Sequence, residues 1–213
     1  GWAGTRPIAE ALRLPPGQHV SSNGAVRVSF QPLELLERVT FDPTDVVNRV
    51  LAEHPEAMLA IEVIGRGFKV NRLFPEGELT GELIQVGLDE LVAERVTRVV
   101  VRDPNASEDD FLRLAHRLGL QGVSYFIGYT AWLDIAPDGI DKSYGLAGVC
   151  ADLGIDAADV LAMGDGRNDI EMLTWAGRGV ALGDAPDEVK DFADHVTDRF
   201  ADDGTAKELL RWF

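Results

Sequence analysis

Two carboxylates and an amide stand within five residues of one another in Gly164-Asp165-Gly166-Arg167-Asn168-Asp169. An apolar stretch over 160–163 runs into this turn, and a helical pattern over 169–176 leaves it. That order puts Asp165 at the carboxyl end of a strand and Asp169 about one helical turn further on. In open α/β sheets the carboxyl ends of the strands are where ligands bind. Oxygen donors held on a short loop suit a hard cation such as Mg²⁺, which takes one or two carboxylates and fills its remaining positions with water and phosphate. The same residues have a plainer reading. Asn168 followed three residues later by Glu171 matches a capping box, in which Asn168 does no more than start a helix. The stretch by itself leaves both readings open.

A second element lies upstream, in Asp134-Ile135-Ala136-Pro137-Asp138-Gly139-Ile140-Asp141-Lys142-Ser143. A strand ends, a Pro/Gly turn follows, and one lysine stands where a helix begins. The helix macrodipole disfavours a cation there, although an anionic ligand would be drawn by both the ammonium and the helix N-terminus. Taken singly, Lys142 reads equally as a solvated surface lysine. Its pairing with the acidic turn some twenty residues later is the informative feature.

The elements that must position these groups alternate along the chain. A helix over 142–153 stops at Gly154. It is followed by the strand over 160–163, the helix over 169–176, a strand over 179–182, a helix over 186–193 and a short strand over 195–197. A last helix opens at Thr205, with Glu208 completing a capping box. Short strands separated by helices predict a parallel sheet covered on both faces. Near the start, Ile8, Ala11 and Leu12 recur at helical spacing before Pro15-Pro16-Gly17. A strand over 19–22, an Asn23-Gly24 turn and a strand with Val26, Val28 and Phe30 alternating come next. The middle opens at Asp42-Pro43 with a helix to about residue 54. Strands over 58–64 and 68–74, a weak helix over 89–94, a strand over 97–102, a helix over 107–118 opened by Ser107 and Asp110, and strands over 123–127 and 129–135 complete it. The simplest architecture is α/β: a discontinuous, Rossmann-like parallel-sheet core of residues 1–36 and 132–213, with an α+β cap inserted over 37–131.

Composition narrows the partners. A net charge of −16 over 213 residues argues against nucleic acid or an anionic membrane surface. It would also repel a phosphorylated ligand, so such a site needs a local cation. No run of eighteen apolar residues marks a membrane span, and the start lacks a signal-peptide pattern. The single cysteine, Cys150, excludes an internal disulfide and fits a reducing cytoplasm. The four histidines have no metal-ligand spacing.

Asp138-Gly139-Ile140-Asp141-Lys142, followed by Met163-Gly164-Asp165-Gly166-Arg167-Asn168-Asp169-Ile170-Glu171-Met172-Leu173, resembles the third and fourth motifs of haloacid dehalogenase-like phosphatases. Within them the chain is most similar to the Cof-type subfamily with a large α+β cap. Ser21-Ser22-Asn23-Gly24-Ala25, Gly179-Val180-Ala181-Leu182-Gly183-Asp184-Ala185 and Asp203-Gly204-Thr205-Ala206-Lys207 support the likeness, which spans both core segments. The resemblance implies that Asp165 is a direct Mg²⁺ ligand and that Asp169 lies in its first or second shell. Asn168 then orders the site or contacts phosphate, Lys142 clamps the phosphoryl oxygens, and Asn23 lines the active site. Asp184 replaces the family's usual asparagine and is expected to face solvent. In the cap, Arg66, Lys69, Arg72 and Tyr129 are the polar and aromatic candidates for substrate contact, each more ordinarily a surface or packing residue.

One family feature is missing. The nucleophile there is the first Asp of an Asp-x-Asp-Gly-Thr motif, and these residues contain no Asp-x-Asp. The Thr-Gly-Arg motif expected before the first helix is also lacking. A further N-terminal strand, helix and strand, roughly 35–45 residues by ordinary element lengths, is therefore expected ahead of Gly1. The resemblance implies a cytoplasmic, Mg²⁺-dependent phosphatase of small phosphorylated metabolites, acting through an aspartyl-phosphate, with these 213 residues alone inactive. Two alternatives stand beside it: a non-catalytic phosphometabolite-binding or remnant protein on the same fold, and a phosphomutase of the same superfamily. Neither the particular substrate nor an oligomeric state is readable from the residues.

Overall fold

The computed structural model describes residues 1–107, 110, 113, 123–127 and 132–212, and within them the chain forms two compact units, Gly1–Ile140 and Asp141–Phe213. The first unit begins with helix α1 (Trp2–Ala11) and an antiparallel meander of β1 (Gly17–Ser21), β2 (Val26–Phe30) and β3 (Glu34–Arg38). Trp2 and Ala9 pack on Val26, Val28 and Phe30, the inward face of β2. Ile8 and Leu12, whose spacing predicts the helix, are exposed instead. The helix is where the periodicity places it, but it buries a different side.

After α2 (Thr44–Glu53), started by an Asp42 carboxylate that accepts from the Thr44 amide at 2.9 Å, comes a six-stranded sheet. Its strands are β4 (Met58–Val63), β5 (Gly67–Val70), β6 (Glu82–Gln85), β7 (Val99–Arg102), β8 (Val123–Ile127) and β9 (Trp132–Pro137), with helix α3 (Leu88–Leu91) between β6 and β7. The order is β6-β5-β4-β7-β9-β8, and every pairing is antiparallel except β5 with β6. Side chains alternate between faces with the strand period of two. Leu59, Ile61, Val99, Val101, Leu133 and Ile135 join Val46, Val47 and Val50 of α2 in one core. Met58, Ala60, Phe68, Val70 and Val100 form the other, with Trp132 against it. Parallel neighbours cannot be joined by a hairpin. The β5–β6 connection over 71–81 therefore crosses the sheet and brings Phe74 and Leu79 onto this second core, Phe74 meeting Trp132 edge-on at 6.1 Å.

Ser107 and Asp110 exchange the bonds of a capping box, each side chain accepting from the other's amide, at 3.2 and 2.8 Å. The remainder of the helix predicted over 107–118 lies outside the described residues, as does Tyr129. Neither β3 nor β6 is foreseen by the sequence pattern. β9 is hydrogen-bonded to β7 and β8 from Trp132 onward, which ties it to the sheet of the middle block, and the meander of the first 38 residues belongs to that same unit.

The second unit is α/β. Helix α4 (Lys142–Leu153) ends at Gly154 in the left-handed conformation (φ 67°). It leads through β10 (Leu161–Gly164), α5 (Ile170–Trp175), β11 (Arg178–Ala181), α6 (Asp187–Lys190), β12 (His195–Val196) and α7 (Gly204–Leu209). β10, β11 and β12 form a parallel sheet in that order. Its core of Ala162, Leu173, Ala176, Ala181, Ala185 and Val189 is built largely from small residues, which lets short helices approach the strands closely. Glu208 does not cap α7. It is fully buried and accepts from Arg178 Nε at 2.8 Å, so a tertiary ion pair takes the residue that the local pattern assigns to a helix start. Among the described residues no helix is long and apolar enough to cross a membrane.

Candidate functional site

At the carboxyl end of β10 the chain turns through Asp165 and Gly166 into a single 3₁₀ turn, Arg167–Asp169, which continues as α5. Asp169 organises this turn. Its side chain is buried, and Oδ2 accepts from the amides of Asp165 and Gly166, each at 3.0 Å. Its Oδ1 accepts from Lys142 Nζ at 2.5 Å. A buried carboxylate is costly unless paired and hydrogen-bonded, and here one group meets that need through three contacts. Asn168 is not the cap: the groups that close the turn belong to Asp169, whose carboxylate covers the first free amides. Gly164 is required by this packing. A Cβ there would lie 2.4 Å from Asp169 Cβ and 2.6 Å from its Cγ. The side chain of Asn168 folds over the turn too, with Oδ1 2.7 Å from where a Cβ on Gly166 would be.

Lys142 is the first residue of α4, and the helix is set by its neighbour. Asp141 Oδ1 accepts from the Tyr144 amide at 3.0 Å and from Ser143 Oγ at 2.5 Å. An acidic residue just ahead of a helical run is the sequence signal for such a cap. The lysine remains partly exposed while the carboxylate it touches is covered, so the ammonium is anchored on one side and open on the other. An ammonium has three donors, and Asp169 takes one. The surroundings are anionic: burial pushes the Glu171 carboxyl above its ordinary range, and the charges of Asp141 and Asp169 add to that push. Asp165 is exposed at the tip of the turn, and its amide is tied to Asp169. Lys142, Asp165, Asn168 and Asp169 thus come together in the second unit.

Asn23 belongs to the first unit, at the end of β1, where Ser22 and Asn23 both adopt left-handed backbone (φ 54° and 51°). Non-glycine residues there carry strain, and the Ser21 and Ser22 hydroxyls are buried without a hydrogen-bond partner. Asp184 is exposed and accepts from the Phe200 amide at 3.3 Å, holding one loop to another. Arg66, Lys69 and Arg72 form ion pairs with Glu82, Glu90 and Glu56.

Among the described residues no three His, Cys, Asp or Glu side chains gather closely enough to hold an ion between them. Mg²⁺ does not need such a cage, since water and substrate phosphate complete its shell. The donor set fits that use: Asp165 places a hard oxygen donor at the carboxyl end of the strand, and behind it the Asp169 carboxylate accepts from Lys142 and from two amides of the turn.

A family model for haloacid dehalogenase-like hydrolases matches residues 85–209. Over 74 residues, 35% of its length, the chain is 49% identical to the 5-amino-6-(5-phospho-D-ribitylamino)uracil phosphatase YcsE of Bacillus subtilis. Over 133 residues, 59% of its length, it is 33% identical to YitU of the same organism, a phosphatase of the same name. These matches span 30% and 47% of the two relatives' lengths, so the chain aligns with less than half of either. The solved structure of the HAD subclass IIB sugar phosphatase BT4131 superposes with a TM-score of 0.80 at 21% identity, covering 97% of this chain and 79% of that one. The last comparison bears on the fold.

Proposed function

The chain belongs to the haloacid dehalogenase-like hydrolases, and from that premise we propose that the protein is a Mg²⁺-dependent phosphatase of small phosphorylated metabolites, sugar phosphates or similar compounds. The observation that carries the proposal is the triple use of Asp169, which anchors Lys142 and the Asp165 turn through a single buried carboxylate. Phosphoryl transfer relies on positioning and on stabilising charge at the equatorial oxygens. Lys142 supplies that charge from a fixed place, with donors left over for phosphoryl oxygens. Asp165 would hold the metal directly, Asp169 would act as a positioning residue behind both groups, and Asn168 would order the turn. Bound there, Mg²⁺ would neutralise charge on the phosphoryl group. The attack itself belongs to an aspartate, giving an aspartyl-phosphate that water hydrolyses. No Asp-x-Asp among the 213 residues supplies that aspartate. The discontinuous core of 1–36 and 132–213 with a cap over 37–131, the place of Asn23 in the site and a cytoplasmic setting are further parts of this proposal.

A second reading on the same fold is Mg²⁺-dependent binding of a phosphometabolite without hydrolysis. Both are tested by assaying the protein isolated from its source against a panel of sugar phosphates, with and without Mg²⁺. Released phosphate that depends on Mg²⁺ and falls about 10²–10³-fold in Lys142→Ala, the scale of losing one preorganised charge-stabilising donor, would support the phosphatase. Ligand binding without release would support the second reading. An unchanged rate in Lys142→Ala would return that residue to the solvated surface.

A further inference from the structure

One face of the six-stranded sheet packs on α2, and on that face a cavity of about 310 Å³ opens over the end of β4. Ile61 and Val63 form its base, with Leu91 and Val96 beside them. Basic side chains stand around this apolar base. Lys69 is the cross-strand neighbour of Ile61, so β5 turns an ammonium toward the core side of the sheet. Its side chain is 27% exposed, and Nζ lies 3.3 Å from Glu90 Oε1. Arg95 donates through Nε to the Thr40 hydroxyl at 3.3 Å and through Nη2 to the Thr40 carbonyl at 2.6 Å. Arg38, at the end of β3, completes the wall and has no hydrogen-bond or ion-pair partner among the described residues.

The chain carries 36 acidic residues against 20 basic ones, so three cations around one cavity run against its overall bias. Two carboxylates share the wall. Glu90 is engaged by Lys69, which leaves Glu94 to oppose Arg38 and Arg95. Glu62 also borders the cavity, but strand alternation turns its side chain toward the other face of the sheet, with its cross-strand partner Phe68. Donors are left over. An ammonium has three and a guanidinium five, and the contacts above take one from Lys69 and two from Arg95. Guanidinium groups pair with the oxygens of carboxylates and phosphates through two parallel bonds. A cavity of about 150 Å³ holds benzene, so this one has room for about a dozen non-hydrogen atoms. We propose that this cavity of the first unit binds a small oxyanion with an apolar body, a carboxylate or a phosphate ester. Its charged group meets Arg38, Lys69 and Arg95, and its carbon skeleton lies on Ile61 and Val63. The site uses neither Lys142 nor Asp165 and is independent of the hydrolase reading.

The protein is titrated calorimetrically, without Mg²⁺, with 3-phenylpropanoate and with 2-phenylethylphosphonate, which stands in for a phosphate ester and cannot be hydrolysed. The alcohol 3-phenylpropanol and the cation 3-phenylpropylamine share the apolar body and serve as controls. Saturable binding of at least one oxyanion is expected, and the one that binds more tightly tells a carboxylate site from a phosphate site. Arg38→Gln and Lys69→Gln are each expected to weaken it about tenfold or more, the scale of a hydrogen bond between charged groups. Arg38 has no partner to lose, so its variant reads the ligand and not the fold. Lys142→Ala is expected to leave the binding as it is. The proposal is overturned if neither oxyanion binds saturably, if the alcohol or the amine binds as tightly, or if Arg38→Gln binds as the parent does. Loss of the binding in Lys142→Ala overturns it as well, because the ligand would then belong to the acidic turn of the second unit.

Discussion

Asp169→Asn is the sharpest probe of the site because the replacement has the same shape and cannot make the same bonds. The carboxylate accepts from Lys142 through one oxygen and from two backbone amides through the other. An asparagine has one oxygen and one NH₂. If the oxygen faces the amides, the NH₂ confronts an ammonium that is also a donor, and one charge-assisted bond is lost, at about 1.5–3 kcal/mol. If the oxygen faces Lys142, two amide donors in a buried turn are left unmet, at about 1–3 kcal/mol each. The first arrangement costs less, so the turn is kept and the lysine released. The expected destabilisation is about 2 kcal/mol, which for a chain of this size lowers the melting temperature by about 4–8 °C. Asp169→Ala loses all three bonds and should cost at least about 2 kcal/mol beyond the asparagine variant. Calorimetric unfolding of both variants beside the parent decides the matter. An asparagine variant as stable as the parent, or an alanine variant no worse than the asparagine one, would refute the assignment of Asp169 as the shared anchor.

Gly164→Ala would push a Cβ to 2.4 Å from that of Asp169 and should cost about 1–3 kcal/mol of overpacking; an unchanged urea midpoint would show that the turn can spread. Arg178 holds the Glu208 carboxyl below its ordinary value of 4.5, so the pair stabilises the fold above that pH and the contribution is lost as pH falls through the lower, folded value. Urea midpoints at pH 7 and below 4 should therefore diverge less in Glu208→Gln than in the parent, and an equal divergence would sink the argument. Gly67→Ala combines a φ of +151° with a Cβ 2.1 Å from the Glu82 carbonyl oxygen. It should detach β6 and cost about 2 kcal/mol or more, measured by thermal unfolding; retention of the parent's melting temperature would mean β6 contributes little.

Local signals carried the second unit well. α4 starts at Lys142 and ends at Gly154 as its pattern predicts, because its cap and its stop are neighbours in sequence. β10 and its acidic turn are equally local. Roles set by a distant partner leave no such local mark. Glu208 looks like the end of a capping box until Arg178, thirty residues earlier, claims it. The roles of Asp169 and Asn168 could not be separated without Lys142, which lies twenty-seven residues before Asp169. β3 and β6 escaped notice for another reason: each sits at a sheet edge with neither face well buried, so no alternation marks them. In α1 the apolar residues at helical spacing are the exposed ones, and a tryptophan and an alanine do the packing.

The connection over 71–81 has no regular secondary structure, yet it is not a loop lying free on the surface. Phe74 and Leu79 are part of the core it crosses, and the parallel register of β5 with β6 fixes both of its ends. Deleting two residues would have to lift one of those side chains off the sheet or slide β6 along β5; inserting two would have to bulge outward without disturbing either anchor. Descendants of this sequence are therefore free to change residues in that segment far more readily than its length. Insertions and deletions would have to accumulate in other connections, and a search for length polymorphism along the chain should find this stretch quiet.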